Sequence, residues 1–218
     1  MGWAASLLNW LSKPAPGPPD WAGQLEGLQG SVPLPWWAAG SYAGPARHHL
    51  LRLRDHPTAA GLEPWLTALV PLLANGPANA NRPGLVVPVP SWKKHANPLP
   101  ALLAEALSRR LGWKLQPALL RRSRPVLGQH HLGRKLRLAN QQGAFRASPA
   151  PAEHLGPRAP VLLVDDILTT GATAFAAASA LRDMGWRVTG MACLARTPAD
   201  RRGGRDLRSG SRQGDGPG

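Results

Sequence analysis

The sequence predicts an α/β protein built on an open, mostly parallel twisted sheet flanked by helices. Three observations carry this reading. Strand and helix patterns alternate from residue 84 to 195, as they do when parallel strands are joined by helical crossovers. The runs GLVVPVP (84–90) and VLLV (161–164) are short and apolar throughout, the pattern of strands buried on both faces. The second run leads into Asp165, Asp166, a Thr/Gly turn and a helix-like segment. Ligands of such sheets bind at the carboxyl ends of strands, near a topological switch point.

The elements are read in chain order. The first forty residues are rich in Pro, Gly and Trp, and KPAPGPPD (13–20) holds neither a helix nor a central strand. A short apolar segment, Trp3 to Leu11, precedes it and has the character of a docking helix. Five of the nine Trp residues fall before residue 40; packing of an irregular segment explains them better than a base-stacking surface. WWAAGSYAG (36–44) reads as a strand ending in a turn, and HHLLRLR (48–54) as the start of a helix with a basic edge. Adjacent His48 and His49 do not share a helix face and read as surface residues. Glu63 to Leu73 is a second helix, and 72–83 a polar loop.

After the strand at 84–90 and the loop SWKKHANP (91–98), Leu99 to Leu111 is an amphipathic helix. Leu102, Leu103, Ala106, Leu107 and Leu111 lie near helical spacing, and Gly112 is its stop. Leu115 to Leu120 is a candidate strand. In the basic stretch 121–145, Leu132, Leu136 and Ala139 fit a helical stripe with Arg134, Lys135 and Arg137 around it. Residues 153–160 read as a loop, 161–164 as a strand, 174–184 as a helix and 186–195 as a closing strand. From 198 to 218 there is almost no apolar side chain, so a disordered basic tail is expected. The expected organisation is an irregular segment at 1–40, one folded domain at 41–197 and this tail.

Composition narrows the function classes. With 218 residues and 43% hydrophobic content the chain suits one domain plus a small appendage. No apolar run reaches the length of a membrane span. The opening MGWAASLLNWLSKP lacks a basic leader, so a cytoplasmic location is expected. The lone cysteine, Cys193, excludes an internal disulfide and a cysteine-based zinc site; in MACLA it reads as a small core residue. The net charge of +14 favours phosphate-rich ligands or nucleic acid, although a merely basic surface would give the same number.

VLLVDDILTTGAT (161–173) holds the strongest chemical signal. Thr169, Thr170, Gly171, Ala172 and Thr173 lie where a helix opens. There unpaired backbone N–H groups and the helix dipole favour an anion. Asp165 and Asp166 stand at the strand end, where carboxylates accept hydrogen bonds from sugar hydroxyls. The combination suits a sugar phosphate. A Walker A loop is excluded, since no Gly-Lys-Ser/Thr occurs, and the GxGxxG spacing of a dinucleotide fold is absent.

The stretch resembles the phosphoribosyl diphosphate (PRPP) motif of type I phosphoribosyltransferases. The chain from about Tyr42 to Arg196 is similar more narrowly to the ComF family, which has that fold and is linked to DNA uptake in competent bacteria. The resemblance rests on VPVP with a basic loop and on the family pattern met here by Arg122, Arg124, Gln129, Leu132, Arg137, Asn140, Gly143, Ala144 and Phe145. It departs from the family in lacking an N-terminal four-cysteine zinc module. It departs again after VPVP, where Lys94 and Asn97 match a loop that commonly reads Arg-Gly-Phe-Asn-Gln.

The resemblance implies a set of roles. Asp165 and Asp166 would hold the ribose hydroxyls, and residues 169–173 the 5′-phosphate. Lys93, Lys94, Arg122 and Arg124 would neutralise a diphosphate that arrives with Mg²⁺; they read equally as a solvated basic surface. Thr169 stands where some purine enzymes of the fold carry an Asp general base. No resident metal site is read from the sequence. Three functions stay open: a ComF-like protein binding PRPP or a nucleotide in DNA uptake, with competence-machinery partners; an active phosphoribosyltransferase of nucleotide salvage; and a single-stranded nucleic-acid-binding protein with a vestigial pocket.

Overall fold

A computed structural model describes residues 19–78, 83–91, 97–123, 143–149 and 159–198. Its centre is a six-stranded sheet in the order β1-β2-β8-β7-β3-β4. The strands are β1 (Leu28–Gly30), β2 (Trp36–Ser41), β3 (Leu85–Pro88), β4 (Lys114–Leu115), β7 (Pro160–Leu168) and β8 (Arg187–Arg196). All neighbours pair parallel except β1, which runs antiparallel along β2. A separate antiparallel ribbon joins β5 (Leu120–Arg122) to β6 (Phe145–Ala147). The helices are α1 (Gly44–Asp55), α2 (Ala59–Asn75), α3 (Leu99–Leu111) and α4 (Ala172–Asp183). The fold is thus an α/β protein with a mostly parallel sheet flanked by helices, as the alternating pattern predicts.

The period of two along each strand divides the core into two layers. On β7, Leu162 and Val164 face the layer made with α1, α2 and α3; Val161 and Leu163 face α4 and the ribbon. Val86 and Val87 on β3 divide in the same way. Leu69, Leu73, Leu103 and Leu107 are fully buried, each contributing about 1.5–3 kcal/mol relative to exposure.

Connections set the site. The chain leaves β3 toward α3 on one face, and leaves the neighbouring β7 toward α4 on the other. Two adjacent parallel strands whose connections diverge open a crevice at their carboxyl ends. The crevice therefore lies between β3 and β7.

Several boundaries differ from the sequence reading. The helix expected at Glu63 begins at Ala59, because Thr58 caps it by accepting from Gly61 N–H at 3.0 Å. It also carries Pro64 and Pro71 inside it and extends to Asn75, so the loop expected from residue 72 starts later. The strand expected over 115–120 is instead the end of β4, a turn and the start of β5; Pro117 offers no donor, and Leu119 N–H bonds Gln116 O at 3.3 Å. His49 is half-buried rather than a surface residue. Its Nδ1 accepts from Trp65 Nε1 at 3.1 Å, and its ring lies 4.2 Å from that of Trp21. Burial, then the neighbouring Arg52, lowers its pKa. The expected segment 3–11, the stripe at Leu132, Leu136 and Ala139, and the basic tail lie outside the described residues.

Candidate functional site

β7 continues through both carboxylates to Leu168, so Asp165 and Asp166 lie within the strand. By strand alternation they point to opposite faces. Asp166 shares the face of Leu162 and Val164 and is 4% exposed. Its Oδ2 accepts from Arg54 Nε at 2.6 Å and from Asn97 Nδ2 at 2.5 Å. Its Oδ1 accepts from Ile167 N–H at 2.8 Å. Charge-assisted bonds of this kind hold a carboxylate in one orientation.

Each partner has a local cause. Arg54 ends α1, the helix that follows β2, and its guanidinium reaches across 112 positions of sequence to β7. Burial opposes the charge on Arg54, but the bond to Asp166 and that residue's charge outweigh it, and the pKa rises. Asn97 precedes α3, and its Oδ1 accepts from Leu99 N–H at 3.1 Å while its amide turns to Asp166. The loop after β3 therefore supplies one ligand to the carboxylate of β7 across the crevice.

Asp165 takes the other face, in register with Cys193 of β8. Its Oδ1 accepts from Asp166 N–H at 2.9 Å. Burial, and then the charge of Asp166, push its carboxyl well above the usual carboxylate range. Desolvation lowers the Arg122 pKa, and the nearby charge of Asp165 acts against it. Arg122 packs its guanidinium 4.2 Å from the ring centre of Phe145 and donates from Nε to Pro90 O at 3.1 Å. It thus sits between ribbon and crevice. Cys193 is buried, and that burial raises its thiol pKa, which removes it as a nucleophile.

The phosphate-loop candidates Thr169, Thr170, Gly171, Ala172 and Thr173 form the turn into α4. Gly171 is the N-cap with φ 79°, a left-handed conformation that favours glycine. A side chain there would also meet Pro33 Cδ at 2.5 Å. Thr170 Oγ1 accepts from Ala172 N–H at 3.4 Å, and Phe175 N–H begins the helical bonds at Gly171 O. The first turn of α4 thereby presents its N–H groups beyond β7. Arg196, at the end of β8, donates from Nη1 to the carbonyls of Leu168 and Thr169, and Thr197 N–H donates to Leu168 O at 3.0 Å. These bonds hold the loop backbone from below.

The structure therefore brings Asp166 and Asn97 together on one face of β7, with Asp165, Arg122 and the turn 169–173 into α4 on the other. Lys93, Lys94, Arg124, Gln129, Arg137 and Asn140 lie outside the described residues. Arg54 and Arg196 are the site residues that sequence reasoning missed. A basic edge on 48–54 is visible in the sequence, but nothing local marks which arginine meets a carboxylate. No group of three or more His, Cys, Asp or Glu forms a cation cage among the described residues, and Mg²⁺ commonly binds through one or two carboxylates plus substrate phosphates. None of the described helices is long and apolar enough to cross a membrane.

No family model matches the sequence, and no curated protein matches it. Among solved structures, the chain is similar to an adenine phosphoribosyltransferase from Saccharomyces cerevisiae complexed with an imino-altritol bisphosphate and adenine. The TM-score is 0.43 at 16% identity, covering 81% of this chain and 88% of that one. A second adenine phosphoribosyltransferase gives a TM-score of 0.44 at 16% identity, covering 81% and 89%.

Proposed function

We propose that the crevice between β3 and β7 binds PRPP or a nucleotide, and that the protein is a phosphoribosyltransferase-fold protein of the ComF type acting in DNA uptake. The observation that carries the ligand class is the juxtaposition at the end of β7. An oriented carboxylate, Asp166, stands directly before a glycine-capped helix N-terminus. A sugar hydroxyl donating to the remaining lone pairs of the first, and a phosphate accepting from the second, fit one sugar phosphate. Arg122 at the rim suits further phosphate charge. The role in DNA uptake, with competence-machinery partners and a cytoplasmic location, rests on the ComF-like sequence pattern.

An active phosphoribosyltransferase of nucleotide salvage is the second reading. Such a transfer needs charge stabilisation at C1′ as diphosphate leaves, and Mg²⁺ bound with the diphosphate would supply part of it. No carboxylate occupies the phosphate loop, and a Thr169 hydroxyl is a poor base near neutral pH. Turnover would thus require a base from elsewhere or an acceptor that needs no deprotonation. The third reading, single-stranded nucleic-acid binding with a vestigial pocket, draws on the net charge alone.

Calorimetry with PRPP and Mg²⁺ tests the proposal. Saturable binding is expected, weakened at least tenfold in Asp166→Asn. Release of diphosphate with a defined base would select the enzyme reading. Absence of PRPP and nucleotide binding in the folded wild type would overturn the proposal, and steeply salt-dependent binding of single-stranded DNA would then favour the third reading.

A further inference from the structure

We infer that the outward face of the β5–β6 ribbon is a second anion site, separate from the crevice, that takes a small ligand bearing a diphosphate or longer phosphate chain. The inference is independent of the crevice reading. The ribbon register places Arg121 directly opposite Arg146. Ser123 N–H bonds Ala144 O at 3.0 Å and Ser148 N–H bonds Leu119 O at 2.9 Å. These flanking bonds make the arginines a hydrogen-bonded pair, with Cα atoms about 5.5 Å apart. Alternation sends Leu120, Arg122, Phe145 and Ala147 inward and Arg121 and Arg146 out to solvent, where both are exposed.

Like charges directly opposite each other destabilise a strand pair. Among the described residues, neither Arg121 nor Arg146 has a carboxylate partner. The two head an open cleft of about 330 Å³ lined also by Arg122, Ser123, Ala147 and Ser148. The ribbon is braced: Ser123 Oγ donates to Gly143 O at 2.5 Å, and Trp186 Nε1 donates to Ser148 O at 3.0 Å. The repulsion is thus held in place, and an anion bridging both guanidinium groups relieves it. Two adjacent phosphates match the arginine spacing. The cleft lining includes no aromatic ring on which a base could stack, which favours a compact phosphate ligand over a nucleic-acid strand.

The test uses the full chain, with inorganic diphosphate as probe and chelator present to suppress Mg²⁺-dependent binding. Calorimetry should show saturable binding that falls at least tenfold in Arg121→Ala/Arg146→Ala, while PRPP–Mg²⁺ affinity in that variant stays within twofold of wild type. Asp166→Asn should leave the chelator-resistant binding intact, which separates this site from the crevice. The thermal midpoint of the double variant without ligand should equal or exceed that of wild type, confirming that it folds. Chelator-resistant binding unchanged in the double variant would overturn the proposal. So would binding confined to oligonucleotides with affinity growing with length, since the face would then belong to a polymer.

Discussion

At the scale of single residues, the two carboxylates of β7 are chemically unequal. Asp166 is satisfied by Arg54, Asn97 and a backbone N–H, whereas burial and the charge of Asp166 hold the Asp165 carboxyl well above its ordinary 3.8. A carboxyl raised in this way stabilises the folded state fully below 3.8. The contribution is lost as pH rises through the folded value, because the unfolded chain releases the proton first. Asp165→Asn should therefore raise the thermal midpoint at pH 7 by a few degrees, each 1 kcal/mol being worth about 2–4 °C at this size. The gain should vanish near pH 3. A midpoint lowered at pH 7 would show that the Asp165 charge is stabilised in the folded state. The sequence displayed both aspartates but could not show this division. Burial and partners come from Arg54 and Asn97, one of them 112 positions away, and adjacent residues read as a pair until strand alternation sends them to opposite faces.

At the scale of elements, the junction between β7 and α4 depends on one residue. Gly171→Ala adds a methyl group at φ 79° and drives it toward Pro33. The left-handed conformation alone costs about 1–2 kcal/mol. Denaturant unfolding should show at least that loss, and PRPP binding should weaken further because the phosphate-facing N–H groups shift. Elements were legible where local signals agreed. α3 has the bounds Leu99–Leu111 because a helical apolar stripe ends at Gly112, whose φ of 66° fits the C-cap. The helix read over 63–73 crosses Pro64 and Pro71 as observed, because burial of Leu62, Trp65, Leu66, Leu69 and Leu73 outweighs them; only its ends, set by the Thr58 cap and Asn75, were missed. β1 and the ribbon strands, three residues each, are too short for periodicity to reveal.

At the scale of the molecule, a ligand that spans β7, the loop before α3 and the α4 N-terminus ties several elements of the fold together. Thermal denaturation with PRPP–Mg²⁺ at a hundred times its dissociation constant should raise the midpoint by roughly 5–10 °C, with the shift absent in Asp166→Asn. Little or no shift in the wild type at saturation would mean that the ligand binds the unfolded chain nearly as well. The position of β8 has a different consequence. It comes late in the sequence, yet it lies between β2 and β7 and pairs with both. Before it is present, β1 can pair with β2, and β4 and β7 with β3, but nothing joins these two half-sheets. Ala38 on β2 and Val164 on β7, both buried in the finished fold, each await one neighbouring strand. Two half-sheets that keep open edges until β8 inserts between them are prone to pair wrongly, so the sheet is committed only when its central strand arrives.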